Sequence, residues 1–201
     1  MSIKKFVSLS LFLASVLGAQ SALSQAFCAL RDPLSVIQQL TQPQPQSFRS
    51  RVVEIEGDLA TRIAQLAGSI PVNYQELGYH TLYNVSTGNP AVEGIVHVRP
   101  EATPWGIAEI AWLLTTEGTI LNYEFQRCRS SACATMGNDD VKSLFAGASR
   151  EELFAMVNSE GSRFLGAPPI EDAGEDELVM LLAMIRSAVK ASAVIAILDS
   201  R

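Results

Sequence analysis

Three cysteines, two histidines and a handful of arginines are the side chains whose chemistry this sequence puts forward. Cys128 and Cys133 enclose Arg-Ser-Ser-Ala, and Arg127 and Arg129 flank the first of them, which favours a thiolate there. One reading is a redox-active pair exchanging electrons by thiol chemistry. The other is a structural bridge closing a small loop, with Cys28 tethering the N-terminal segment instead. The spacing is wider than the two residues of disulfide oxidoreductases, and no Cys-x-x-Cys-His is present for covalent haem. His80 and His97, with Glu93, Glu101 and Glu109 nearby, lack any helical or short-loop ligand spacing, so they read as hydrogen-bonded strand histidines and no metal site is expected. Arg99, Arg127 and Arg129 fall at strand ends, where with Arg31 they can form a basic spot for a carboxylate or phosphate. Tyr79, Tyr83, Trp105, Trp112, Tyr123 and Phe125 are either core or a stacking surface for a flat ligand. Trp105, in the loop Thr103-Pro104-Trp105-Gly106, is the least core-like of them.

These side chains have to be held by a fold, and the sequence divides into three parts. Residues 1–26 have the anatomy of a cleaved secretory signal: Lys4 and Lys5, an apolar stretch, then Ser24 and Ala26 before the cut. Residues 27–47 form an N-terminal arm and a Pro/Gln linker, whose alternating prolines favour an extended chain. Residues 48–201 form a single domain. In it Ile55, Leu59, Ile63, Leu66 and Ala67 recur at helical spacing, with Gly68 and Pro71 as the stop. Four extended runs follow, 79–85, 92–99, 107–114 and 119–129, and turn signals at Gly88-Asn89-Pro90 and Glu117-Gly118 make two antiparallel hairpins of them. In the last run Leu121, Tyr123 and Phe125 share the face expected to be buried. Helices are expected at 139–145, at 149–158 with a Ser149/Glu152 capping box, and at 176–198. The expectation is an α+β fold: a roughly four-stranded antiparallel sheet covered by helices.

Composition narrows the function. The chain has 201 residues and a formal charge of −6; removing residues 1–26 takes two lysines and no acid, which makes it −8. Nucleic acid is therefore not an expected partner. The apolar stretch 178–198 carries Arg186 and Lys190, charges that are costly in lipid, so it reads as a buried helix and no transmembrane segment is expected in the mature chain. No nucleophile elbow, phosphate-binding glycine loop, dinucleotide fingerprint or zinc-protease helix occurs, which points away from an enzyme.

The order helix, hairpin, hairpin, helices, with Gly94-Ile-Val-His-Val-Arg99 leading to Glu109-Ile-Ala-Trp-Leu-Leu-Thr-Thr-Glu-Gly-Thr-Ile120, resembles the FMN-binding domain of periplasmic flavoprotein subunits in membrane electron-transport complexes. That family attaches flavin through a Thr in a Ser-Gly-Ala-Thr-like sequence at the start of its last helix. Here the region from Gly166 to Asp176 has no Thr and four carboxylates, which would repel a phosphate. The resemblance implies a degenerate member: an exported, periplasmic or secreted ligand-binding or accessory module of a cell-envelope redox system, with an envelope redox protein or membrane complex as partner. It implies no covalent cofactor and leaves noncovalent FMN open. The aromatic wall would be Trp105, Tyr83 and Trp112, and the anion contact Arg99, Arg127 and Arg129. The alternatives are a thiol/disulfide redox protein using Cys128 and Cys133, and a structural envelope protein whose arm docks a partner.

Overall fold

Extended runs of β-prone residues separated by turn signals build an antiparallel sheet here, but the sheet has five strands instead of four. The structure, a computed structural model, describes residues 28–41, 47–86 and 93–199. The expected signal segment lies outside the described residues, as do residues 42–46 of the linker. The elements are α1 (Pro33–Leu40), β1 (Ser47–Ile55), α2 (Gly57–Leu66), a 3-10 turn (Tyr74–Glu76), β2 (Gly78–Ser86), β3 (Glu93–Thr103), β4 (Gly106–Leu114), β5 (Ile120–Arg127), α3 (Ala132–Met136), α4 (Asp139–Phe145), α5 (Arg150–Ala155) and α6 (Glu175–Asp199). Each strand pairs antiparallel with the next in sequence.

The additional strand is β1, which runs in unbroken register from Ser47 opposite Ser86 to Ile55 opposite Gly78. The helix expected from Ile55 starts only at Gly57. Of β1's residues only Ile55 is buried, so the strand carries none of the alternation that marks a half-buried one. A second difference is Leu121. The register shifts so that Leu113 faces Asn122 while Leu114 faces Ile120, and the extra residue packs on the arm side of the sheet, opposite to Tyr123. A bulge of this kind reverses the face of every position before it.

Two layers cover the sheet. On one face Leu82, Ile95, Ile110, Trp112, Leu114 and Tyr123 meet Met180, Leu181, Met184, Ile185 and Val189 of α6. This 25-residue helix is apolar nearly all round because α2, α3 and α5 pack on it as well as the sheet. By length and apolarity alone it would pass for a membrane-crossing helix, yet in this fold most of it is enclosed. Two glycines permit the close approaches. Gly118, at φ 89°, would bring a Cβ within 2.9 Å of Ser192 Oγ on α6, and Gly68, at φ 67°, would put one 2.1 Å from the Phe154 ring.

On the other face lies the arm, expected as a segment set apart from the body. Asp32 caps α1 by accepting from the Ser35 N–H at 3.2 Å, and Pro33 opens the helix. Leu30, Ile37 and Leu40 then pack on Tyr83, Val96, Val98 and Leu113. The α5 capping box is formed as expected: Glu152 N–H donates to Ser149 Oγ and Ser149 N–H to Glu152 Oε2. The helix itself ends at Ala155, short of 158.

Candidate functional site

The pairing of β2 with β3 ends at Leu82 opposite His97, and beyond that point the strands part. Cys28 of the arm reaches this place, its carbonyl accepting the Thr81 N–H at 2.9 Å. On the α6 side the opening is filled by a cluster of buried polar groups: Glu76, His80, His97, Arg99, Glu101 and Lys190. Lys190 Nζ donates to Glu76 at 2.5 Å and to Glu101 at 2.8 Å, and Arg99 donates to the other Glu76 oxygen. Arg186 donates to Glu101 at 2.7 Å, so two carboxylates face three cations. Burial pushes the Glu76 carboxyl up, but Arg99 and Lys190 outweigh it and hold it below its ordinary value.

The histidines form a directed chain. His80 Nε2 lies 2.8 Å from the Glu76 carbonyl, which can only accept, so this nitrogen carries the proton. Its Nδ1 therefore accepts from His97 Nε2 at 3.1 Å, and His97 Nδ1 is a bare acceptor with no partner among the described residues. Burial, with Arg99 nearby, brings His80 down to about 3; burial, then His80 and Arg99, put His97 well below its ordinary value. Both are neutral imidazoles. Among the described residues no group of three or more acidic, His or Cys side chains is arranged to hold a metal.

The other face has a smaller junction. Glu109, fully buried, accepts from Arg31 at 3.0 Å, from Gln126 at 2.9 Å and from Arg127 at 3.5 Å, and Gln126 also donates to the Ala29 carbonyl. The junction ties the arm to β4 and β5. Burial pushes the Cys28 thiol up to about 11, Arg99 opposing and Glu76 and Glu109 adding to the rise. Cys28 is thus a buried thiol, and Cys128 and Cys133 form the disulfide, bridging the end of β5 to α3.

The side chains expected to make a ligand site are dispersed. Trp112 is fully buried under α6, donating to Ser187 Oγ at 2.9 Å. Tyr83 is on the opposite face, its hydroxyl accepting from the Leu30 N–H at 3.3 Å. Trp105 packs half-buried against the α6-side core at the β3–β4 turn. These three rings do not form one wall. Arg99 is sealed in the buried cluster, Arg127 turns to Glu109 with Arg31, and Arg129 is exposed beside Gly106. The arginines gather only in part, and around an acid.

An opening with cationic walls lies elsewhere, where α6 leaves the sheet uncovered. Arg49 and Arg51 of β1, Asn84 of β2, Gly94 and Ile95 of β3 and Thr116 of the β4–β5 turn line a groove of about 480 Å³. Register puts Arg49 opposite Asn84 and Arg51 opposite the core residue Leu82, so both arginines stand on the groove face. Both are exposed, and neither has an ion-pair partner among the described residues. Sequence alone does not mark this pair, because residues 47–55 lack the alternation that identifies a strand. Arg-Ser-Arg in a strand is a cationic row on one face, which is the signal that was available. Nor does sequence mark Glu76, which lies in a short 3-10 turn, and spacing alone shows Arg186 and Lys190 only as charges costly in a membrane. Two cations one turn apart on an apolar helix require buried acids opposite them.

Comparison with protein families, with curated proteins and with solved structures finds no match to this chain.

Proposed function

We propose that this protein is an exported, non-catalytic binding module, an accessory of a cell-envelope redox system, that holds an anionic group of its ligand or partner in the Arg49/Arg51 groove. The observation that carries the reading is that pair of exposed arginines, unmatched by acids among the described residues, on a chain whose formal charge is −6. In a concave site two guanidinium groups favour a carboxylate or phosphate through charge-assisted hydrogen bonds. In the other charged clusters the cations already face buried acids, Glu76 and Glu101 on the α6 side and Glu109 under the arm. Export rests on the signal-like residues 1–26, and the redox setting on the resemblance to FMN-binding domains; noncovalent FMN is accordingly the first small ligand to offer. The thiol/disulfide alternative is weaker, because both bridge cysteines are half-buried against the α6-side core, where the bridge holds β5 to α3.

Calorimetric titration of the purified chain with FMN, inorganic phosphate and oligoglutamate tests the reading. At least one is expected to bind, and R49A/R51A to weaken it about tenfold, the worth of two exposed ion pairs. Failure of all three, or binding that the double variant leaves unchanged, overturns it.

A further inference from the structure

The groove opens beside the free edge of β1, and the two edges of the sheet are treated differently. At β5 the segment after α4 covers the start of the strand: Gly147 N–H donates to the Ile120 carbonyl at 2.8 Å and Ile120 N–H to the Ala148 carbonyl at 3.1 Å. β1 pairs with β2 on one side, and among the described residues nothing takes the backbone groups on the other. The strand is nine residues long, has no proline, and keeps its register without a bulge. Shortness, proline and bulges are devices that spoil an edge, and β1 has none of them. The device it does carry is charge, at Arg49, Arg51 and Glu54, and the arginine row turns away like-charged strands while leaving the edge open to an acidic one.

Its two faces differ in chemistry. Ser47, Arg49 and Arg51 look into the groove, whereas Phe48, Ser50 and Val52 are on the other face, with Phe48 37% and Val52 64% exposed. A second copy of the chain is a poor match for this edge: two β1 strands paired antiparallel about their centre bring Arg51 against Arg51. Like charges directly opposite one another oppose pairing. A strand alternating acidic and apolar residues fits both rows at once.

We infer that β1 is a docking edge for an extended acidic segment of a partner protein, which adds a sixth strand antiparallel to β1 with carboxylates on Arg49 and Arg51 and apolar side chains on Phe48 and Val52. Backbone hydrogen bonds supply sequence-tolerant affinity and the arginine row selects acidic partners. This rests on the groove reading above and names the source of the anionic group.

The test uses the full chain and a nine-residue peptide alternating Glu and Val, with two controls: the same peptide N-methylated at every second amide, and a Lys/Val peptide. Affinity is read by fluorescence anisotropy, and hydrogen exchange of the β1 amides is followed in the same samples. The expected result is binding by the Glu/Val peptide, a loss of tenfold or more on N-methylation, none by the Lys/Val peptide, and slowed exchange within residues 47–55. R49E/R51E reverses the preference between the Glu and Lys peptides. Equal binding of the N-methylated peptide overturns strand addition and leaves the anion-binding groove standing; so does binding of phosphate or FMN without the peptide. A β1-mediated homodimer, seen by light scattering and lost in R49E/R51E, overturns the acidic partner in favour of a second copy. Binding by none of these probes overturns both readings together.

Discussion

At the scale of single residues, Lys190 is the side chain on which most depends. Its ammonium spans Glu76 and Glu101 from the middle of α6, so removing it leaves two buried carboxylates with only the arginines to balance them. K190M is expected to lower unfolding free energy by about 3–5 kcal/mol in urea titrations, since a broken buried ion pair strands a charge. K190M/E101Q recovers part of that loss, and a double variant no better than the single one contradicts the network. The histidine pair sets a pH dependence of known sign. Both imidazoles are held below 6.5, so the unfolded chain binds more protons than the folded one. The histidine contribution is complete above pH ~6.5 and is lost as pH falls below it, for His80 at about 1.4 kcal/mol per pH unit down toward about 3, with His97 acting in the same direction. The loss of Glu76's charge at still lower pH acts in the same direction. H80Q/H97Q is expected to flatten the slope between pH 6.5 and 5, and an unchanged slope contradicts the neutral pair.

Elements show where sequence carries structural information and where it does not. The capping box at Ser149 was legible because it is local: two side chains and two backbone N–H groups within four residues. β2 and β5 were legible from their alternation, and β3 and β4 from β-prone runs bounded by turn signals, since these two are buried on both faces and do not alternate. β1 was not, because an edge strand exposed on both faces is under no pressure to alternate, and its one buried residue was absorbed into the period of the following helix. The bulge at Leu121 was equally hidden, since alternation cannot report the residue at which it is broken. Among the candidate chemistry, the Cys128–Cys133 pairing was one of the readings open in the sequence, whereas the scatter of Tyr83, Trp105 and Trp112 over both faces follows from register that spacing alone does not give. For the bridge, C128S/C133S is expected to cost about 2 kcal/mol, the loop-closure value for so short a loop. An unchanged urea midpoint, coupled with catalysis of thiol exchange by the native chain, favours the redox alternative instead.

For the whole molecule, the arm and α6 act as two covers on one sheet, and each is held by buried charge as well as by apolar contact. Sequence placed the arm outside the domain because the Pro/Gln segment separates them; the contacts that bring it back, Arg31 to Glu109 and Leu30 to Tyr83, span more than fifty residues. E109Q is expected to loosen the arm selectively, seen as faster proteolysis near Arg31 with little change in global unfolding, because α6 and its core lie on the opposite face. With both faces covered along the middle of the sheet, what is left open is its β1 end, and there the arginine pair stands. The most direct measurement is a two-dimensional amide NMR titration of the isotope-labelled chain with phosphate, FMN and oligoglutamate, repeated on R49A/R51A. Shifts centred on Arg49, Arg51, Asn84, Gly94 and Thr116, absent from the double variant, are the expected result. Shifts centred on Trp105 and Arg129, or the same shifts in both proteins, contradict the assignment of the anion site to this groove.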